Sequence, residues 1–176
     1  MVEVLHLAAV LPATVGLCCA VGDRRGGARS VVPAAVRLLA MRAMAAGWTA
    51  VPPLAWAAAF VVLGIAAAAG LRRNAHGETP QHVRDMHLQR ALGLVLGAAL
   101  LVATGAHQAG AVTSGHPGHS GGTLIIATLA GTTGYLAFTA WVVARAVRRR
   151  APLVGAVDSS AMGVMTALMA VVPFVA

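Results

Sequence analysis

Apolar residues gather into six stretches, each close to the roughly 20 residues a helix needs to cross the hydrocarbon core of a bilayer. They run approximately over Val4–Val21, Pro33–Val51, Leu54–Leu71, Leu88–Val112, Thr123–Val147 and Ser159–Ala176. In lipid every backbone N–H and C=O must be satisfied inside its own segment, so such a chain is expected to be all-α, a polytopic transmembrane helical bundle. Composition agrees: 59% of the 176 residues are hydrophobic and 10% are charged. Soluble domains carry about 25% charged residues, so the polar surface is too small to cover a globule in water. One bundle accounts for residues 1–176, read as a single domain.

The connections alternate in charge. GDRRGGARS follows the first stretch with Arg24, Arg25 and Arg29; uncharged TAVPP follows the second. The third connection holds Arg72, Arg73, Arg84 and Arg90, the fourth (TSGHPGHSGG) holds no arginine, and the fifth holds Arg145, Arg148, Arg149 and Arg150. Basic residues collect on the cytoplasmic side of a membrane. The alternation therefore predicts about six spans in the plasma membrane, with both termini outside. It also tests the count: if residues 33–46 lay on the surface and one helix ran to Leu71, the third connection's arginines would face outward.

The net charge of +8 comes entirely from arginine, with no lysine in the chain. A pI near 11.7 would suggest nucleic acid in a soluble protein, but no aromatic platform interleaves with the basic residues. The arginines sit where anionic lipid headgroups would neutralise them, so lipid, and no nucleic acid, is the expected partner. Cys18 and Cys19 are adjacent within an apolar stretch, which excludes a disulfide scaffold. MVEVLHL has no basic n-region, so the first stretch reads as a retained helix and not a cleaved signal peptide.

Local signals refine the layout. Thr79-Pro80 supplies an N-cap and a proline at the first helical position, predicting a helix that continues into the fourth span. Pro52-Pro53 marks a tight turn between the second and third spans. Gly93 and Gly97 form a GxxxG with Gly105 further along, Gly131 and Gly134 mark the fifth span, and Ala66 to Gly70 the end of the third. Small residues let lipid-embedded helices approach closely. They predict a compact bundle, either packed on itself or with a face left for other membrane subunits.

Two residue sets could carry chemistry. His6 and His107 fall near the outer surface, and His116 and His119 lie in the HPGH loop above them. Neutral imidazole suits copper and zinc, although loop histidines are also ordinary solvated residues. Met162, Met165 and Met169 recur at helical spacing on the sixth span, as do Met41 and Met44 on the second. Thioethers select Cu(I), but methionine is equally a core filler. His6 and His107 at one depth would also suit a single haem b; a second pair is missing, since His87 lies about 30 Å from His107 at helical rise. Arg42 near the middle of the second span is the costliest residue, whereas Arg37, nearer the edge, can snorkel. No acid falls inside a span; Asp158, at the mouth of the sixth helix, is a candidate partner. His76, His82, Met86 and His87 read as the surface of an interfacial helix. There is no HExxH, P-loop, dinucleotide fingerprint or Ser/His/Asp set at one depth, so no catalytic residue is assigned.

The order of RLLAMRAMAAGW, DMHLQRALG, TGAHQAG, TLAGTTGYLAFTAWVVARAVRRR and SSAMGVMTALMA resembles an actinobacterial integral membrane family catalogued as domain of unknown function 5134. The resemblance covers most of the chain and implies a multi-span fold with Met/His-rich patches. Relatives tend to carry histidine where Arg37 stands, and methionine in the outer loop, which here has none. The resemblance implies no activity. Three functions fit the residues: a small non-catalytic subunit of a larger bioenergetic or envelope complex, a copper-handling protein using the outer histidines and inner methionines, or a single-haem electron carrier.

Overall fold

A computed structural model describes residues 2–22, 28–46, 51–73, 81–109, 120–150 and 153–175. These form six helices and, among the described residues, no strand: α1 (Val2–Gly22), α2 (Ala28–Ala45), α3 (Pro53–Arg73), α4 (Gln81–Ala109), α5 (Ser120–Arg148) and α6 (Leu153–Val175). The signals read from sequence explain several ends. Helix α3 opens with Pro53 at its first position, where a missing N–H costs nothing, and Ala55 N–H closes the turn onto Pro52 C=O at 2.9 Å. Helix α4 is described from Gln81 and runs unbroken for 29 residues; the expected cap at Thr79-Pro80 lies outside the described residues. Helix α5 stops through Arg150, which adopts a left-handed φ of 52° and donates its N–H to Val147 C=O.

Two helices are displaced from their expected spans. Helix α2 starts five residues before Pro33, carrying that proline inside it, and ends at Ala45 instead of Val51. Helix α6 starts six residues before Ser159. Apolar windows locate lipid-compatible chain; helix ends are set by capping and backbone geometry, which tolerate a flanking polar turn. The displacements matter because Arg42 now falls in the last turn of α2, and Asp158 lies inside α6.

Among the described residues, four helices contain segments long and apolar enough to cross a membrane: Pro53–Gly70, Arg84–Ala103, Ile126–Arg148 and Leu153–Val171. In α1 the apolar run Leu7–Gly22 is shorter. The outer surface agrees with a lipid setting. Leu11, Val62, Ile65, Ile126 and Val164 all point outward; in water such a surface would drive association, whereas lipid tails solvate it.

Helix α4 is central, packing against α3, α5 and α6, while α1 packs between α2 and α6. Helices α2 and α3 touch at only a few points. The C-terminal end of α1 meets the N-terminal ends of α2 and α6, where Ser30 lies 3.5 Å from Ala20 C=O and Gly16 packs beside Asp158. The N-terminal end of α4 meets the C-terminal end of α5 through Arg145 and the start of α6 through Gly155. The described ends of the arginine-bearing connections therefore share one face of the bundle. Toward the other end lies the apolar core, in which Ala9, Ala40, Met41, Phe60, Leu100, Leu101, Met165 and Met169 pack together.

The two glycines of GxxxG serve different neighbours. Gly93 admits Tyr135 and Met162, and a Cβ there would stand 2.5 Å from Tyr135 Oη and 2.9 Å from Met162 Cε. Gly97 admits the Phe60 ring. Gly134 faces open space. Gly93→Ala should therefore destabilise the purified protein by about 1–3 kcal/mol through overpacking, whereas Gly134→Ala, free of contacts inside a helix, should raise stability by up to about 1 kcal/mol. Thermal unfolding in detergent measures both, and equal melting temperatures would show that the α4–α5–α6 contact is looser than described.

Candidate functional site

Polar side chains converge inside the bundle near its arginine-bearing end. Gln89 of α4, which has no exposed surface, donates from Nε2 toward Tyr135 Oη at 3.1 Å, Thr139 Oγ1 at 3.2 Å and Ser159 C=O at 3.3 Å. One amide thus joins α4 to α5 and α6. Tyr135 and Thr139 stand four residues apart on α5, which places them on one face. The next residue of α4, Arg90, donates from Nε at 2.9 Å and Nη2 at 2.6 Å to a single Asp158 oxygen. A third clamp lies nearer the surface, where Arg145 donates to Asp85 Oδ2 at 2.8 Å and Gln81 Oε1 at 2.9 Å. Its guanidinium also stacks 5.0 Å from the Trp141 ring centroid.

These are the interactions expected where helices cannot use a hydrophobic driving force to find one another: polar groups pair across the interface because lipid offers them no alternative. Charge pairing is strong here because the geometry is close and Asp158 is only 5% exposed.

The pairing is not complete: among the described residues Gln89 Oε1 and Ser159 Oγ have no hydrogen-bond partner, and Arg37 is the charged group that shares this condition. It sits midway along α2 and is 7% exposed, yet among the described residues its Nε has no hydrogen-bond partner. It borders a cavity of about 40 Å³ that it shares with Ser30, His87, Arg90 and Asp158. Arg42 instead points outward from the final turn. The expected roles of the two arginines are thus exchanged. The earlier end of α2 takes Arg42 out of mid-span, and the helix face turns Arg37 into the bundle, where it does not snorkel. The expectation that no acid lies within a span is likewise corrected by Asp158, and its partner is Arg90 rather than Arg42.

The methionines expected to act together are found in the interior. Met165 and Met169 are buried alongside Met41, with Met44 packed against them, so the α2 and α6 stripes meet in one apolar cluster. Met162 stands a turn closer to the charged end, beside Gly93 and the Arg37 cavity. The backbones at His6 and His107 belong to α1 and α4, but their side chains lie outside the described residues, as do His116 and His119 entirely. Among the described residues no group of three or more His, Cys, Asp or Glu side chains is placed to hold a metal.

Sequence reading missed the Gln89 network and the Arg90–Asp158 pair. The available signals were Tyr135 and Thr139 at helical spacing in an apolar run, and an aspartate followed by GVM-type apolar sequence within LVGAVDSSAMGVM. No protein-family model, curated protein or solved structure matches the chain.

Asp158→Ala leaves Arg90 without its carboxylate and should lower stability by about 3 kcal/mol or more. Replacing both partners, Arg90→Met with Asp158→Leu, should recover much of that loss, because Arg90 no longer stands as an unpaired charge and only Arg37 loses a favourable neighbour. Denaturation of the three variants in detergent checks the order; a double variant no more stable than Asp158→Ala would remove the pair as a helix clamp.

Proposed function

We propose that the protein is a six-span subunit of the plasma membrane, with both termini outside, that acts without catalysis in a larger membrane assembly. Its kinship would lie with the actinobacterial membrane family its motifs resemble. The observation that carries this reading is the outer face of α5. Ala127, Ala130, Gly134 and Ala137 are exposed at helical spacing, and Gly134 has open space beside it, whereas Gly131 faces Leu96 of α4. Small residues at that spacing allow another membrane helix to approach closely enough for dense packing. The inner face of the same helix is held to α4 by Gln89 and by Arg145, so it presents a fixed surface. The gathering of the arginine-bearing ends at one face supports the orientation, since cytoplasmic faces collect basic residues.

A tag on the C-terminus should be reached by a membrane-impermeant antibody on intact cells, and in mild detergent the tagged chain should migrate in a complex larger than itself. Gly134→Leu should release it as a folded single chain. A chain that migrates alone before any substitution, or a C-terminus reached only after permeabilisation, would overturn the assembly or the orientation respectively.

A second reading is favoured by the meeting of the two methionine stripes. Met44, Met165 and Met169, with Met162 a turn away, would form the inner part of a copper path whose outer ligands are His6, His107, His116 and His119. Soft thioethers in a dry interior suit Cu(I). Purified protein should then retain Cu(I), and both His107→Ala and the paired change Met165→Leu with Met169→Leu should reduce it. Equal and negligible copper in parent and variants would end the reading.

A further inference from the structure

We propose that the cavity beside Arg37 is a binding site for a phosphate oxyanion, and that the guanidinium is held inside the bundle to receive it. The inference is independent of the assembly and copper readings. It begins with charge. Two permanent cations, Arg37 and Arg90, border the cavity, and one carboxylate, Asp158, serves them both. Asp158 makes its hydrogen bonds to Arg90 and reaches Arg37 only as a longer-range electrostatic neighbour. Arginine is not deprotonated in proteins, so the site carries one uncompensated positive charge in a setting where a buried unpaired ion is destabilising by several kcal/mol. Among the described residues, nothing accepts a hydrogen bond from Arg37 Nε.

The shape and surroundings fit an anion. A cavity of about 40 Å³ has room for roughly three water-sized groups, enough to admit the two unesterified oxygens of a lipid phosphodiester or the leading oxygens of an inorganic phosphate. The first turns of α2 border it through Ser30 and Ala34, and a helix N-terminus favours negative charge. Arginine's planar fork matches phosphate geometry better than a point charge does. The cavity is bounded laterally by Ala34 of α2 and Ala67 of α3, the two neighbouring helices with the sparsest packing. It lies toward the end of the bundle where Arg84, Arg148, Arg149 and Arg150 are exposed, side chains that attract anionic headgroups. The phosphate could be that of a lipid headgroup entering between α2 and α3, or a free phosphate arriving from the arginine-bearing face.

The test uses the full chain purified in neutral detergent. Native mass spectrometry counts bound dioleoylphosphatidylglycerol, with dioleoylglycerol as the phosphate-free control, and thermal unfolding is followed with inorganic phosphate against chloride at equal ionic strength. One phosphatidylglycerol per chain and no dioleoylglycerol identifies a lipid phosphate; a melting shift with inorganic phosphate alone identifies free phosphate. Either supports the site if Arg37→Gln weakens binding by about tenfold or more, the loss expected for a charged hydrogen bond, while Arg42→Gln leaves it unchanged. Equal weakening by both substitutions overturns it. Should Arg37→Gln fail to fold, the parent alone decides: absence of both a phosphatidylglycerol adduct and a phosphate-dependent melting shift also overturns it.

Discussion

Asp158 is the carboxylate on which the charged half of the bundle depends. It projects from the second turn of α6, takes two hydrogen bonds from Arg90 on α4, packs beside Gly16 of α1 and shares a cavity with Arg37 of α2. One anion thus bonds α6 to α4 and stands where α1 and α2 approach them. In water such a group would exchange partners freely. Buried at 5% exposure beside a small cavity, it has little competing solvent, and each neighbouring helix must present a donor or a residue small enough to let one reach it. Gly16 fills the second role: a bulkier side chain there would press toward the Asp158 oxygen.

The pattern of neighbours explains why the polar network extends no further along the bundle. Gln89, Tyr135, Thr139 and Ser159 complete the link between α4, α5 and α6 at the same level. Beyond them the interior becomes apolar, with Phe60, Leu100 and Leu101 meeting the methionines of α2 and α6. One end is thus specified by directional bonds and the other by shape. Directional bonds define which helix stands beside which, since a register slip would strand a buried amide or ion. Methionine, flexible and polarizable, then adapts to whatever space the better-defined end leaves.

What could be read from sequence follows the same division. Six helices were legible because apolar run length is a one-dimensional property; the expectation that all six are spans went further than the four described helices long and apolar enough to cross. The segregation of arginines to alternate connections was legible too. Arg37 and Asp158 were misjudged because their significance depends on helix phase and on where each helix starts. Measured against apolar windows, Asp158 is a mouth residue and Arg42 the mid-span cation; measured against α6 and α2 as folded, Asp158 is internal and Arg42 terminal. Gln89 was hidden for another reason. It adjoins a polar, arginine-bearing segment, and only the three-dimensional placement of Tyr135 and Ser159 separates it from the exposed residues preceding it.

Helix α5 shows how one sequence can serve two kinds of neighbour. Its buried residues Thr132, Tyr135, Thr139, Val142 and Ala146 follow alternating steps of three and four, the seam of a left-handed helix pair crossing at about +20°. Across the helix, Ala130, Gly134 and Ala137 make a second seam of small residues, the kind that favours closer, right-handed crossings. The inner seam requires bulk and hydroxyl groups to reach Gln89, while the outer one requires their absence. Substituting the same residue type on both faces would damage only one. Ile126 and Trp141 are exposed on the same helix, so the small residues form a narrow strip between bulkier lipid-facing side chains, and a helix made solely to face lipid has no reason to keep that strip, because leucine or valine there would be as well solvated.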